Sequence, residues 1–210
     1  MPDSSKPNNA PQEVLEDIQK EYEQTLVIPE HKPSSQWMLM PVGLVGAGKT
    51  TVVKPLANHF GLIRISADEI REQLKRCGYS YEGAREMTHE IQKKYLKLGY
   101  SVAIDANTGS EIGLEFNKKT KKAFPQVRQI FIHINPPEDF ILNKLRNYHH
   151  TWLFKDSEHA IERFNFHKEK FLLPDLPFVY TFDTSRDDLP EQLKEGIKAI
   201  ENSLHEGGVY

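Results

Sequence analysis

Residues Gly43-Leu44-Val45-Gly46-Ala47-Gly48-Lys49-Thr50 fit the pattern G-x-x-x-x-G-K-[S/T] and lie between an apolar run and a helical pattern. Glycines at this spacing let successive backbone N–H groups, that of Ala47 among them, curl around a phosphate. The start of the following helix adds its partial positive charge. Lys49 then reaches β- and γ-phosphates as a point charge, and the Thr50 hydroxyl is placed to ligate Mg²⁺. Thr51 packs or caps beside them. The candidate nucleotide contacts are therefore Gly43, Gly46, Ala47, Gly48, Lys49, Thr50 and Thr51.

A second group is Ser66-Ala67-Asp68-Glu69-Ile70-Arg71. Ser66 and Glu69 read as a capping box, with Ser66 as N-cap and Glu69 at the third helical position. The box does not need Asp68, although a carboxylate at a helix start is favoured by the helix dipole. Strand ends of a parallel sheet converge on the ligand crevice, so Asp68 on that edge can face a γ-phosphate as a base or an orienter. Arg71 lies one helical turn on and can hold an anionic group with its fork of donors; the alternative for this pair is a surface ion pair.

The elements that must position these groups follow from periodicity. Val14, Leu15, Ile18, Tyr22 and Leu26 recur at helical spacing and predict an amphipathic helix from Pro11 to about Leu26, after a polar, Pro-rich start expected to be disordered. A breaker-rich link, Pro29 to Gln36, divides residues 1–36 from a domain over 37–210. That makes the helix an appendage, either packed on its own domain or docking a protein partner. From Trp37, short apolar runs alternate with longer helical ones, as in a parallel sheet with crossover helices. Strands are predicted at Trp37–Val42, Leu62–Ile65, Ser101–Asp105, Gln129–Ile134 and Phe178–Phe182. Helices are predicted at about 49–60, 67–77, 83–98, 110–123, 137–147, 157–171 and 188–204. Gly61, Gly78 and Gly99 each follow a helical run, where a left-handed residue ends the helix. Pro41 in a central strand and Pro55 inside a helix predict local irregularities.

Composition bounds the rest. In 210 residues, 27 Lys and Arg stand against 30 Asp and Glu, so no overall cationic field gathers nucleic acid or anionic membrane. The single cysteine, Cys77, excludes an intramolecular disulfide framework and a multi-thiolate zinc site. No apolar run approaches the roughly 20 residues of a membrane-spanning helix, and the first residues lack a secretory pattern. These features predict a soluble cytoplasmic protein.

The loop, the Asp68-x-x-Arg71 pair, the run Val102-Ala103-Ile104-Asp105 followed by Ala106-Asn107, and the late Asp183-Thr184-Ser185 together resemble the P-loop kinases grouped around polynucleotide kinase and zeta toxins. The resemblance spans about residues 38–200. It implies a three-layer α/β fold with a five-stranded parallel sheet, order 2-3-1-4-5, and a helical lid at about 136–176. It further implies ATP and Mg²⁺ as cofactors, Asp68 as the base that takes the acceptor hydroxyl's proton, and Arg71 as the contact to an acceptor phosphate. Asp105 ends its strand as a magnesium-side carboxylate does, and it also suits a turn with Asn107 and Thr108. An arginine from the lid closes on the phosphates in such kinases; here Arg146 is the first candidate and Arg163 the second.

The sequence departs from similar kinases in having no arginine between Asp105 and Arg128. The segment offers Lys118, Lys119, Lys121 and Lys122 instead, read as a solvated helix face rather than a nucleic-acid contact. Adjacent His149 and His150 point about 100° apart on a helix and lack the partners of a zinc site. Trp152, Phe154, Phe164, Phe166 and Phe171 read as the lid's own small core. The expected activity is ATP-dependent phosphoryl transfer to a hydroxyl of a small-molecule or polynucleotide acceptor. The alternative is an ATPase switch docking its partner through the N-terminal helix.

Overall fold

The computed structural model describes residues 9–147, 153–171 and 173–206. The first eight residues, expected to be disordered, lie outside the described residues, as do His149, His150 and Trp152.

Five strands, β1 (Trp37–Val42), β2 (Ile63–Ser66), β3 (Val102–Asp105), β4 (Arg128–Ile134) and β5 (Phe178–Phe182), form one sheet in the order β2-β3-β1-β4-β5. Every pairing is parallel. The crossovers carry α2 (Lys49–Phe60), α3 (Ala67–Arg76), α4 (Ala84–Lys97), α5 (Glu111–Ala123), α6 (Glu138–Arg146) and α7 (Ser157–Lys170), with α1 (Gln12–Gln24) before the sheet and α8 (Leu189–Glu206) after it. Side chains alternate across the strands, as a strand's period of two requires. Met38, Met40, Ile63, Ile65, Val102 and Ile104 enter one core with α1, α3 and α4. Leu39, Ala103, Ile130, Ile132 and Ile134 enter the other with α2, α6, α7 and α8. This is the expected three-layer α/β arrangement. Among the described residues no helix is long and apolar enough to cross a membrane.

Gly61, Gly78 and Gly99 do adopt positive φ after their helices. Pro41 causes no break: β1 stays in register with β4 through Pro41↔Ile132. The Pro41 carbonyl faces the β3 side, where it accepts from Thr108, and the recorded β1–β3 register has already ended at Leu39↔Ala103. The missing N–H points the same way as that carbonyl, so the ladder loses no donor. The irregularity falls instead between Phe131 and Ile132, where β4 meets β5. Helix α2 runs on through Pro55.

α1 lies against the domain. Ile18 and Tyr22 are buried in the first core, and Val14, Leu15 and Leu26 pack against it. Burying this stripe stabilises the helix, whose propensity alone would leave 13 residues marginal. The same burial takes Ile18 and Tyr22 of that apolar face into the domain's own core, with Val14, Leu15 and Leu26 half-buried against it. The lid aromatics are likewise not a separate core. Phe154 and Phe164 are buried with the β4 residues and α8, Phe171 packs on the opposite core, and Phe166 is exposed.

Candidate active site

The phosphate loop joins β1 to α2. Gly46 and Gly48 hold φ of 81° and 86°, a region that a side chain makes costly. Close packing also requires them: a Cβ on Gly46 would lie 2.9 Å from Ile141 Cγ2, and one on Gly48 would lie 3.0 Å from Thr184 Oγ1. Thr184 donates to the Ala47 carbonyl at 2.8 Å, which ties the Asp183-Thr184-Ser185 loop to the phosphate loop. Lys49 Nζ donates to the carbonyls of Gly43 (3.2 Å) and Leu44 (2.8 Å). Burial pulls its ammonium below the ordinary lysine range, opposed by the charges of Asp68 and Asp105. Thr51, the third residue of α2, is exposed, and its backbone N–H donates to the Gly48 carbonyl at 3.0 Å.

Thr50 and Asp105 meet across the crevice, the hydroxyl donating to Oδ1 at 3.0 Å. Asp105 is 3% exposed, and burial pushes its carboxyl up against the pull of Arg64 and Thr50. Arg64 Nη1 reaches Asp105 Oδ2 at 2.6 Å, while Nη2 is bonded to Glu69. Sequence reasoning missed Arg64. It stands in register with Ala103, two residues before Asp105, so the two are diagonal neighbours on one face of the sheet. A hydroxyl beside a carboxylate is a hard oxygen donor set of the kind that suits Mg²⁺. The Asn107 side chain accepts from Gly43 and Gly109, so the turn after β3 forms alongside this pair.

Asp68, in the first turn of α3, and Arg71, one turn on, are paired at 2.5 Å, with Arg71 mostly buried and Asp68 47% exposed. Ser66 caps the helix at Glu69 N–H (3.4 Å), but the box is only half made because Glu69 turns to Arg64. The charge of Asp68 bears on Lys49 and also on Arg85, the second residue of α4. Burial and neighbouring Arg71 pull the Arg85 guanidinium down. His167 of α7 is pulled down by burial and by Arg163, Arg85, Arg71 and Lys49, with Arg163 bonded to it at 3.2 Å. Elements α2, α3 and α4 thus bring Lys49, Arg71 and Arg85 within electrostatic reach of Asp68, and α7 sets Arg163 and His167 beside the same cations. Arg85 lay outside the motifs, and nothing in its local sequence marks it.

The lid arginines are placed differently from one another. Ile141 and Leu145 of α6 pack on Gly46, and at 100° per residue Arg146 lies about 140° around the helix from Ile141. It is exposed. Lys144, on the near side, is the α6 cation whose charge reaches Lys49. Arg163 is the lid arginine within the cationic group. Lys119 pairs with Glu115 and Lys121 bonds the Pro125 carbonyl, consistent with a solvated face. Cys77 is exposed at the end of α3. No cluster of three or more His, Cys, Asp or Glu that could hold a metal occurs among the described residues.

This sheet order with a glycine loop between β1 and α2 defines a P-loop nucleotide-binding fold. The family described as an AAA domain, AAA_33, matches residues 38–123, from β1 through α5. A candidate kinase from Chloroflexus aurantiacus is similar over 80% of this chain and 98% of its own (19% identity, TM-score 0.65). A structure from the PezAT toxin–antitoxin system of Streptococcus pneumoniae is similar over 94% and 98% (17%, 0.57). The Mycobacterium tuberculosis APS kinase CysC, in complex with AMPPNP and APS, is similar over 80% and 99% (16%, 0.55). Comparison with curated protein sequences finds no match.

Proposed function

We propose that the protein transfers the γ-phosphoryl group of ATP to a hydroxyl of an acceptor that itself carries negative charge, in the manner of the polynucleotide kinase and zeta toxin group. The observation that carries this reading is Asp68, a half-exposed carboxylate paired with Arg71 and within electrostatic reach of Lys49 and Arg85. An ATPase that only positions water has no need of Arg71 and Arg85 beside that carboxylate. The APS kinase neighbour, in complex with AMPPNP and APS, offers a parallel in which a nucleotide analogue and a second anion are bound together.

The loop amides and Lys49 hold the β- and γ-phosphates. Thr50 and Asp105 would hold Mg²⁺, which would supply positive charge to offset that of the phosphates. The acceptor's anionic group competes for Arg71 and draws its guanidinium from Asp68, leaving the carboxylate open to the acceptor hydroxyl. That oxygen forms a bond to the γ-phosphorus, the bond to the bridging β–γ oxygen breaks, the proton passes to Asp68, and ADP leaves. Arg163 and Lys144 neutralise charge around the transferring group, with Arg146 available to a lid that closes further. Little covalent work is asked of the protein, because positioning and charge supply most of the catalysis.

The test follows the label of γ-labelled ATP with Mg²⁺ offered to a 5′-hydroxyl oligonucleotide, to a nucleoside 3′-phosphate and to the same nucleoside without phosphate. Transfer to a charged acceptor, with the neutral nucleoside at least tenfold poorer in kcat/KM, is expected. Release of label only as free phosphate with every acceptor moves the reading to the ATPase switch.

A further inference from the structure

Tyr22 sits in the last turn of α1, 1% exposed, and its phenol oxygen accepts the backbone N–H of Ser66 at 2.6 Å. Ser66 is the residue at which β2 turns into α3: its own hydroxyl caps the Glu69 N–H, and it stands in register with Asp105. In a complete capping box the Ser66 N–H would be taken by the Glu69 side chain. Here Arg64 holds that carboxylate, and Arg64 is itself held by Asp105. The N–H is thus left for a group from outside the sheet, and α1 supplies it. The phosphate loop has no part in this bond, which falls two residues before Asp68 and directly beside the strand end that carries Asp105.

We propose that Tyr22 is a positioning residue for phosphoryl transfer, its hydroxyl fixing the β2–α3 junction so that Asp68 and Arg71 meet the acceptor while Asp105 stays against Thr50. The inference rests on the proposed function for its kinetic consequence. A buried N–H stripped of its acceptor must find another carbonyl or a water, and either requires the backbone at residues 65–67 to move. Displacement of a catalytic group by about 1 Å costs on the order of 100-fold in rate. Nucleotide affinity, set by the β1–α2 loop, is unaffected.

Tyr22→Phe keeps the ring in the core and removes only the hydroxyl, and with it the acceptor of the Ser66 N–H. Ile18→Val thins the same α1 packing without touching Ser66 and serves as the structural control. The expected result is a fall of tenfold or more in kcat for Tyr22→Phe, with the affinity for ATP within twofold of the unaltered protein. The Ile18→Val variant keeps its kcat while its melting temperature drops. A Tyr22→Phe kcat within twofold of the unaltered protein overturns the proposal, as does an equal loss in both variants. If the unaltered protein transfers phosphate to no acceptor, the proposed function falls on its own. Amide exchange then decides for Tyr22: at least tenfold faster exchange of the Ser66 N–H in Tyr22→Phe supports the positioning, and unchanged exchange overturns it.

Discussion

Replacing Asp68 by Asn keeps the side-chain volume and removes both the charge and the proton acceptor, and the structure separates what this does to folding from what it does to turnover. Asp68 is 47% exposed and paired with Arg71 three residues on. Partly exposed pairs of this kind are worth about 0.2–1 kcal/mol, and the favourable placement at a helix start is worth a similar amount. For a domain of this size a loss of about 1 kcal/mol lowers the melting temperature by about 2–4 °C. Nucleotide binding is expected to stay at least as tight, since the change removes a negative charge whose field reaches Lys49. Turnover behaves differently. A positioned general base contributes about 10²–10⁴-fold, equivalent to about 2.7–5.4 kcal/mol of barrier. Transfer from γ-labelled ATP at saturating acceptor, read beside a thermal melt and calorimetric titration with ATP, distinguishes the three quantities. A variant that folds, binds ATP and still transfers within tenfold of the unaltered rate would refute Asp68 as the base. A loss traced wholly to ATP affinity would refute it equally.

Three further outcomes are expected. Arg85→Met should raise the acceptor KM by about 10–150-fold, the equivalent of a charge-assisted hydrogen bond of about 1.5–3 kcal/mol, with the ATP KM within twofold; a change confined to the ATP KM would place Arg85 at the nucleotide. Arg64→Met leaves buried Asp105 without its cation and should cost about 2–3 kcal/mol, below the full value for a buried pair because Glu69 is 39% exposed. Asp105 already titrates above its unfolded value because of burial, so its contribution is most favourable below about pH 4 and is lost as pH rises through the folded-state pKa. The Arg64→Met deficit in urea melts should therefore grow from pH 4.5 to 7.5, and an equal deficit at both would contradict this account. Gly48→Ala should weaken ATP binding by tenfold or more in calorimetry. It places a side chain at φ 86° and 3.0 Å from Thr184, and Thr184→Ala in that background should not restore binding, since the backbone strain of about 1–2 kcal/mol persists.

The sequence by itself determined what is local or contiguous. The phosphate loop is eight consecutive residues whose chemistry depends on backbone freedom and one lysine, so it is legible without a fold. Strand and helix positions followed from periods of 2 and 3.6, and Gly61, Gly78 and Gly99 marked helix ends because only glycine takes that conformation without strain. Asp68 was singled out because a capping box accounts for Ser66 and Glu69 and leaves the carboxylate between them unexplained. The sheet order came from resemblance, since periodicity says nothing about which strands pair.

Tertiary structure decided everything that depends on neighbours distant in the chain. Arg64 is a strand residue like any other until β2 lies beside β3 and puts it diagonal to Asp105. The orientation of the α6 cations Lys144 and Arg146 follows from rotation of the helix. Ile141 and Leu145 must bury against Gly46, and that turns Arg146 away from the loop. Arg85 gains meaning only because α4 packs beside α3 and brings its guanidinium near Arg71. Tyr22 was read as part of an apolar stripe, which it is. Its hydroxyl at the end of that stripe reaches the Ser66 N–H only because α1 folds back over the first core, and no pattern along the chain records a bond across 44 residues. Sequence periodicity fixes which face of an element is apolar; the polar atom at the edge of that face acquires a partner only when the faces are packed.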